Sequence, residues 1–213
     1  MANYFKTRYS FDKGRFLVWK AISEFIQQFI DEKNDAILDI GSGYCDFINN
    51  IVCKKKFAVD INKDCGLFCA KDVIFYRSSI TNLEKIKPNS IDVIFASNLL
   101  EHFTDAELEL VLKELRRVLK KKSRVIVLQP NYKYAYKEYF DDYTHKKIFS
   151  HVSIIDFFES NGFKTYKCFP RFLPFSLKSF LPKSYLLTKI YLWSFYKPMA
   201  KQMLLVFDRA NEK

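Results

Sequence analysis

The stretch Ile37-Leu38-Asp39-Ile40-Gly41-Ser42-Gly43-Tyr44-Cys45 decides the fold, because an apolar run breaks there into a tight turn with two glycines. A second apolar run, Phe57-Ala58-Val59-Asp60, ends in an acidic residue about twenty positions later. This is the layout of a nucleotide-type cofactor site on a parallel sheet. The glycines let the backbone pass close to a ligand, and the acid binds a ribose diol.

The bulk composition predicts one folded domain over residues 1–213. Hydrophobic residues make up 49% of the chain and aromatic residues 17%, which excludes global disorder. The formal net charge of +11 predicts attraction to anionic partners. The sequence has no apolar run near the roughly twenty residues that span a bilayer, and no signal-peptide pattern. The five cysteines lack zinc spacing, so we expect reduced thiols, a cytoplasmic protein and no metal site.

Strand-like and helix-like segments alternate along the chain, which predicts a doubly wound α/β fold with a mostly parallel seven-stranded sheet. The last two strands form an antiparallel edge hairpin in this prediction. Thr104 and Glu107 have the spacing of a capping box at the start of one helix. The predicted strands are 36–40, 57–60, 73–76, 91–96, 124–128, 163–169 and 203–208, and the clearest helices are 16–30 and 104–119.

Three segments exceed what a minimal α/β domain needs. Residues 1–33 predict an N-terminal helical cap, and residues 131–149 are dense in tyrosine, aspartate and lysine. Residues 170–201 separate the last two strands by about thirty positions, far above the usual ~4–6. Such insertions hold substrate specificity in these folds, so 131–149 and 170–201 are candidate substrate-binding elements.

The glycine turn alone fits both NAD and S-adenosylmethionine. A dinucleotide fingerprint would place a third glycine where Asp46 stands, and a carboxylate beside pyrophosphate is unfavourable. A Walker-type phosphate loop is absent from the sequence. S-adenosylmethionine carries a sulfonium and an α-amino group, so it tolerates nearby carboxylates such as Asp39 and Asp46.

Four motifs occur in one order and together resemble the class I S-adenosylmethionine-dependent methyltransferases over residues 36–130. They are Asp39-Ile40-Gly41-Ser42-Gly43, Asp60, the stretch from Ile91 to His102, and the helix end from Glu114 to Lys120. One departure is Cys45, where that family often has a third glycine. The resemblance implies a Rossmann-like methyltransferase fold and S-adenosyl-L-methionine as cofactor.

The resemblance also implies roles for individual residues in cofactor binding. The methionine end of the cofactor is assigned to Asp39, Gly41, Gly43, Asn98 and Leu99. The ribose hydroxyls are assigned to Asp60, the adenine face to Ile61, and the adenine edge to Ser79 and Ile80.

Methyl transfer to oxygen needs a base, and a histidine titrating near neutrality suits that role. The chain has three histidines, His102, His145 and His151. The candidate catalytic residues are His145 and His151, with Asp142 or Asp141 available to orient an imidazole. A helix start at Ser150-His151 and simple packing of the neighbouring aromatic residues are the alternatives.

Later segments resemble a subgroup of these methyltransferases that is associated with sugar and surface-glycan biosynthesis. They are Asp141-Asp142-Tyr143-Thr144-His145, Phe149-Ser150-His151-Val152-Ser153 and Pro170-Arg171-Phe172-Leu173-Pro174-Phe175. The similarity implies a small-molecule or glycan acceptor. We therefore expect O-methylation of a sugar or glycan precursor, with RNA or another anionic small molecule as the alternative. A cofactor-binding but inactive partner protein is a further alternative.

Basic residues mark both ends of the chain. Arg8, Tyr9 and Arg15 precede the first helix, where one arginine can pair with the carboxylate of the cofactor or stay solvated. Residues 160–207 contain no acidic residue and interleave lysines with aromatic residues. This pattern fits peripheral contact with an anionic membrane, an acidic sugar or nucleotide diphosphate, or a solvated face, and RNA ranks lowest.

Overall fold

The computed structural model describes residues 13–174 and 183–210. Their seven strands form one sheet in the order β3-β2-β1-β4-β5-β7-β6. Strands β1 to β5 are parallel to one another, whereas β7 is antiparallel to both β5 and β6. The predicted fold class and the antiparallel edge hairpin are confirmed. The strands are β1 (Ala36–Ile40), β2 (Lys55–Asp60), β3 (Val73–Arg77), β4 (Ile91–Ser97), β5 (Leu119–Pro130), β6 (Phe163–Pro174) and β7 (Ala200–Arg209).

Helices cover both faces of the sheet. They are α1 (Lys13–Gln27), α2 (Asp46–Asn50), α3 (Asp105–Val118), α4 (Tyr132–Ala135), α5 (His151–Glu159) and α6 (Tyr185–Trp193). Three short 3₁₀ helices occupy Lys63–Phe68, Leu100–His102 and Tyr139–Asp141. The predicted capping box at the start of α3 is present: the Thr104 N–H donates to Glu107 Oε2 at 2.7 Å, and the Glu107 N–H donates to Thr104 Oγ1.

The core has two layers because successive side chains of a strand point to opposite faces of the sheet. In β1, Leu38 packs with the layer under α3 and α5, while its neighbour Ile37 packs with the layer under α1, α2 and α6. Every residue of β1 is buried. Such a strand, covered on both faces, reads as a continuous apolar run, which is why it stood out in the sequence.

The register of the sheet brings the functional motifs to one edge. Ile40, the last residue of β1, is paired with Val59 of β2 and with Ala96 of β4. The glycine turn, Asp60 and the Asn98–His102 segment therefore follow three adjacent strands at their carboxyl ends, where open α/β sheets bind ligands.

The two predicted insertions differ in outcome. Residues 131–149 form α4 and a 3₁₀ helix, and they are fastened to the end of β4 because the Lys146 and Lys147 N–H groups donate to the Glu101 carbonyl at 2.8 and 3.0 Å. The 170–201 boundaries are wrong at both ends, since β6 runs on to Pro174 and β7 already begins at Ala200. Among the described residues, no helix is long and apolar enough to cross a membrane.

Candidate active site

The glycine turn after β1 requires glycine at two positions. Gly41 has φ +67° and Gly43 has φ +51°, in the left-handed region that favours glycine. A Cβ on Gly41 would stand 2.7 Å from Leu99 Cδ1, whereas a Cβ on Gly43 would meet no atom of the described residues within 4 Å. Gly41 is thus held against Leu99, and Gly43 borders open space in which a ligand can approach the backbone.

Asp60 fastens this turn to the end of β2. Its Oδ2 accepts the Gly43 N–H at 3.0 Å, and its Oδ1 accepts the Asn62 N–H at 2.8 Å. The Cys65 thiol is a third hydrogen-bond partner of this carboxylate. Two carboxylate oxygens offer about four acceptor positions, so one remains for a ribose hydroxyl. Ile61 follows at once and is 65% exposed, as an apolar cover for an adenine ring would be.

Carboxylates surround the turn and favour a cationic ligand. Asp39 is buried, and burial raises its pKa well above the usual range, with Cys45, Asp60 and Asp46 acting in the same direction. The sulfonium and ammonium groups of S-adenosylmethionine would offset that negative charge. The residues present therefore fit this cofactor.

Arg15 neutralises a charge that the sequence leaves unpaired. Asp46 is not a bare negative charge against NAD, because Arg15 Nε donates to Asp46 Oδ2 at 2.5 Å. The Arg15 guanidinium also lies over the Tyr44 and Trp19 rings. Arg15 thus ties α1 to the start of α2. Arg8 and Tyr9, the other two N-terminal candidates, lie outside the described residues.

Cys45 stands where the family often has a glycine, and it adopts a glycine-like backbone conformation. It is buried with φ +57°, the left-handed conformation that a glycine adopts without strain. Its Sγ lies 2.9 Å from Cys69 Sγ and 3.6 Å from the Cys65 carbonyl oxygen. The thiol therefore fills a small buried space beside the cofactor turn.

The adenine-edge residues divide between surface and core. Ser79 Oγ lies 2.7 Å from Thr81 Oγ1 in the loop after β3. The Ile80 side chain packs in the core with Leu83 and Leu38, so only its backbone is left to face a ligand. Contact of Ser79 and Ile80 with adenine stays a prediction.

Asn98 links the cofactor edge to the antiparallel hairpin. It has φ +47°, a conformation that asparagine tolerates better than most residues. Its N–H donates to the Leu128 carbonyl at 2.8 Å, and its Oδ1 accepts from Gln202 Nε2 at 3.0 Å. Gln202, on β7, was missed from the sequence because nothing local connects it with Asn98. The cofactor contacts assigned to Asn98 and Leu99 stay predictions.

Two of the three histidines meet at this edge. The ring centroids of His102, in the 3₁₀ helix after β4, and His145, in the 131–149 segment, are 4.9 Å apart. Thr144 Oγ1 donates to Asp142 Oδ1 at 2.6 Å, so it accepts from His102 Nδ1 at 2.9 Å. Asp142 thus orients His102 through Thr144, a connection that the sequence did not indicate.

His145 has its own support. Its Nδ1 lies 2.5 Å from the Tyr139 carbonyl oxygen, which can only accept, so Nδ1 carries the proton. The ring also packs on the buried Tyr139 ring at 4.6 Å. Burial lowers the pKa of His102, and the neighbouring His145 lowers it further. A neutral His102 can accept a proton or bind a metal ion.

His151 contacts a different group of residues. It begins α5 behind the capping residue Ser150, as the alternative interpretation of the sequence expects. Its Nδ1 accepts from Asn131 Nδ2 at 3.0 Å, and its ring lies parallel to Tyr134 at 6.2 Å. The Arg171 guanidinium in turn lies over the Tyr134 ring, 4.5 Å from the ring centroid. Burial, with Lys133 nearby, lowers the pKa of His151.

Glu101 stands next to His102 and was not among the sequence candidates. It is fully buried, and neither carboxylate oxygen has a hydrogen-bond partner in the described structure. Burial raises its pKa to about 8, although the backbone groups of Glu101 itself and Leu99 act to lower that pKa. The signal in the sequence was its position four residues after the apolar strand β4 and directly before a histidine.

The basic C-terminal region is less free than its sequence indicates. Lys189 pairs with Glu24 at 3.0 Å, Lys201 pairs with Glu138 at 2.5 Å, and Lys197 donates to the Leu192 carbonyl at the end of α6. Lys178 lies outside the described residues. Exposed apolar side chains are the stronger feature of this surface, each at least half exposed: Leu186, Leu187, Ile190, Trp193, Phe195, Tyr196 and Met199.

Comparison with known proteins agrees with this arrangement. A family model described as a methyltransferase domain matches residues 38–127. A protein of Methanocaldococcus jannaschii described as uncharacterized, MJ0638, is 30% identical over 99% of this chain and 88% of its own length.

Solved structures share the fold. A SAM-dependent methyltransferase from Archaeoglobus fulgidus has a TM-score of 0.67 at 21% identity and covers 96% of each chain. One from Aquifex aeolicus has a TM-score of 0.60 at 16% identity, over 93% of this chain and 94% of its own. The chain belongs to the class I S-adenosylmethionine-dependent methyltransferases, in the same family as the Methanocaldococcus jannaschii protein.

Proposed function

We propose that this enzyme methylates a hydroxyl oxygen of a sugar or glycan precursor beside the His102–His145 pair. The observation that carries the proposal is the proximity of these two rings, whose centroids are 4.9 Å apart. His102 lies in the 3₁₀ helix that follows the Asn98–Leu99 segment. That segment contacts the cofactor turn through the packing of Leu99 on Gly41. An acceptor held at the histidines therefore lies on the cofactor side of the sheet.

The chemistry needs alignment and a destination for one proton. Bound S-adenosylmethionine supplies a methyl group on a positively charged sulfur. When no metal ion is bound to the His102–His145 pair, a neutral imidazole of the pair accepts the proton of the acceptor hydroxyl. A base of this kind contributes about 10²–10⁴-fold to the rate, and positioning contributes the rest. Asp142 and Thr144 hold the His102 ring for this purpose.

The 131–149 segment suits a sugar acceptor. Tyr136, Phe140 and Tyr143 expose more than half of their side chains on this segment. Aromatic faces present apolar area at low entropic cost and stack on the apolar face of a sugar ring. Arg171, over Tyr134, adds a positive charge for an acidic or phosphorylated acceptor.

The apolar surface of α6 favours an acceptor that is presented at an anionic lipid surface. Leu186, Leu187, Ile190 and Trp193 are all at least half exposed, although α6 also packs on α1 through the contact of Trp193 with Phe25 at 5.2 Å. Apolar and aromatic residues at a helix surface enter the lipid interface, and the net charge of +11 favours anionic lipid. Because Lys189 and Lys197 are engaged, we expect apolar contact to dominate.

Sedimentation with vesicles tests the lipid contact. Wild type should bind vesicles with 30 mol% phosphatidylglycerol, and the double variant Leu187→Ser/Ile190→Ser should bind far less. Leu110→Ser, an exposed change on α3, is the control. Equal binding by all three proteins would remove the lipid surface from the proposal and leave a freely diffusing acceptor.

Formation of S-adenosylhomocysteine with a panel of hydroxylated acceptors tests the reaction. The panel holds free sugars, nucleotide sugars, polyprenyl-linked sugars and RNA. His145→Asn keeps an N–H donor toward the Tyr139 carbonyl, so it should fold normally and lose about 10²–10⁴-fold in kcat. Leu110→Ala is the control. Turnover of RNA alone would replace the sugar proposal, and full activity of His145→Asn would remove the histidine from the reaction.

A further inference from the structure

Glu101, His102 and His145 place three metal-binding groups together. One carboxylate oxygen of Glu101 and one ring nitrogen from each histidine all lie within 4.8 Å of one another. Nitrogen and oxygen ligands bind zinc at about 2.0–2.2 Å, so side-chain movements of about 1 Å would close this set around an ion. We propose that these three residues bind a divalent transition-metal ion, which in turn binds the hydroxyl of the methyl acceptor.

The buried carboxylate of Glu101 is the independent observation that points to a cation. Among the described residues, no other side chain hydrogen-bonds either of its oxygens, although Glu101 is fully buried, and only the backbone groups of Glu101 itself and Leu99 act on the carboxylate. Buried charges in proteins are normally paired or coordinate a metal, because leaving one alone is costly. A cation between Glu101 and the two imidazoles would satisfy the carboxylate.

The hydrogen bonds of the histidines prepare them for this role. His145 Nδ1–H donates to the Tyr139 carbonyl, and His102 Nδ1–H donates to Thr144 Oγ1, which is itself held by Asp142. Metal-binding histidines characteristically donate one ring N–H to such a partner, which fixes the orientation of the ring. Both rings are thus held in place beside Glu101.

The backbone fixes the three residues relative to one another. Glu101 and His102 are neighbours in one 3₁₀ helix, and the carbonyl of Glu101 accepts the N–H groups of Lys146 and Lys147, directly after His145. One carboxylate and two imidazoles resemble open catalytic sites, which keep coordination positions for water or substrate. Those positions are where an acceptor oxygen would bind.

The consequence for catalysis rests on the proposed function. A metal-bound hydroxyl has a lowered pKa, as metal-bound water does. Its O–H bond then breaks with the proton passing to solvent, the oxygen forms a bond to the methyl carbon, and the carbon–sulfur bond breaks to leave S-adenosylhomocysteine. The two imidazoles act as ligands in this version and not as the proton acceptor.

Direct metal binding tests the site without any acceptor. Protein dialysed against chelator is titrated with MnCl₂, and free Mn²⁺ is followed by electron paramagnetic resonance; ZnCl₂ is titrated by calorimetry. We expect one ion per chain. Glu101→Gln and His145→Asn should weaken binding by at least about 100-fold, and Thr144→Val, which removes support from His102, by about 10-fold. His151→Asn is the matched control and should bind like wild type.

The outcomes separate this inference from the proposed function. Absent or variant-insensitive binding in folded protein, judged by circular dichroism, overturns the metal site, while metal-independent methylation of a hydroxyl would still support the histidine base. Variant-sensitive binding of one ion supports the site even if no hydroxyl in the panel is methylated. Stimulation of methyl transfer by Mn²⁺ in wild type, but not in Glu101→Gln, supports both.

Discussion

The cofactor side and the acceptor side of this enzyme are built in different ways. The predicted cofactor side consists of the glycine turn and Asp60, which follow adjacent parallel strands and are joined by the Gly43 N–H to Asp60 hydrogen bond. The acceptor side joins Glu101 and His102 to His145, and α3, β5, α4 and a 3₁₀ helix lie between them in the chain. One side is specified by local sequence, and the other exists only after the 131–149 segment has docked.

This difference teaches where each function is encoded. A backbone that must approach a ligand needs glycine and a positive φ, and those requirements leave a local mark in the sequence. A cluster of side chains needs only residues that can lie anywhere in the chain. We therefore expect changes at the cofactor side to act through binding, and changes at the acceptor side to act through turnover.

Asp60→Ala should produce the largest effect on cofactor binding. It removes the acceptor for the Gly43 and Asn62 N–H groups and the carboxylate assigned to the ribose. Hydrogen bonds to a charged group contribute about 1.5–3 kcal/mol each, and two of them correspond to at least about 100-fold in affinity. Calorimetric titration with S-adenosylhomocysteine measures the loss.

Asp64→Ala is the control for this experiment, since Asp64 is exposed and lies four residues further along. It should bind S-adenosylhomocysteine like wild type. If Asp60→Ala also bound normally, the cofactor side would not be arranged as its sequence motif implies, and the contrast between the two sides would fail.

The two turn glycines allow a smaller and sharper test. Alanine at either position takes on a positive φ, which costs about 1–2 kcal/mol. Gly41→Ala also forces Leu99 to move, a packing cost of about 1–3 kcal/mol. We expect Gly41→Ala to be the less stable protein in thermal unfolding. Gly43→Ala, whose Cβ enters the open space, should lose at least about 10-fold in affinity for S-adenosylhomocysteine with only the strain cost in stability.

An equal loss of stability in both variants would contradict the packing of Leu99 on Gly41. Normal cofactor affinity in Gly43→Ala would contradict the approach of a ligand to that part of the turn.

Much of the fold, and the geometry of the glycine turn, was predictable from the sequence, whereas the cofactor contacts of individual residues stay predictions. The strands are apolar runs, the α3 cap has a Thr104–Glu107 signature, and the turn needs its glycines, so each prediction depends on short-range physics. The acceptor side was predicted only in part. His145 and Asp142 were identified by residue type, but their connection through Thr144 and the burial of Glu101 depend on tertiary docking. The sequence alone overestimates how much positive charge residues 160–207 leave unpaired. Lys189 and Lys201 form ion pairs with carboxylates of other segments, and those pairs depend on tertiary docking.

The smallest expected effect is on the pH dependence of stability, where Asp39 on the cofactor side and His151 at the start of α5 should act in opposite directions. Burial lowers the pKa of His151, so its contribution to stability is present above the unfolded pKa of about 6.5 and is lost as the pH falls below it. Burial raises the pKa of Asp39, so its contribution is greatest at low pH and is lost as the pH rises.

Thermal unfolding of the cofactor-free protein between pH 5 and 8 measures both slopes. His151→Gln should flatten the acid side by less than about 2 °C, because its half-exposed ring is screened by solvent, and Asp39→Asn should flatten the alkaline side more. A steeper acid limb in His151→Gln, or an unchanged alkaline limb in Asp39→Asn, would show that these two groups do not set the pH dependence of stability. When S-adenosylhomocysteine is added, its ammonium group near Asp39 should reduce the loss of stability with rising pH in wild type but not in Asp39→Asn.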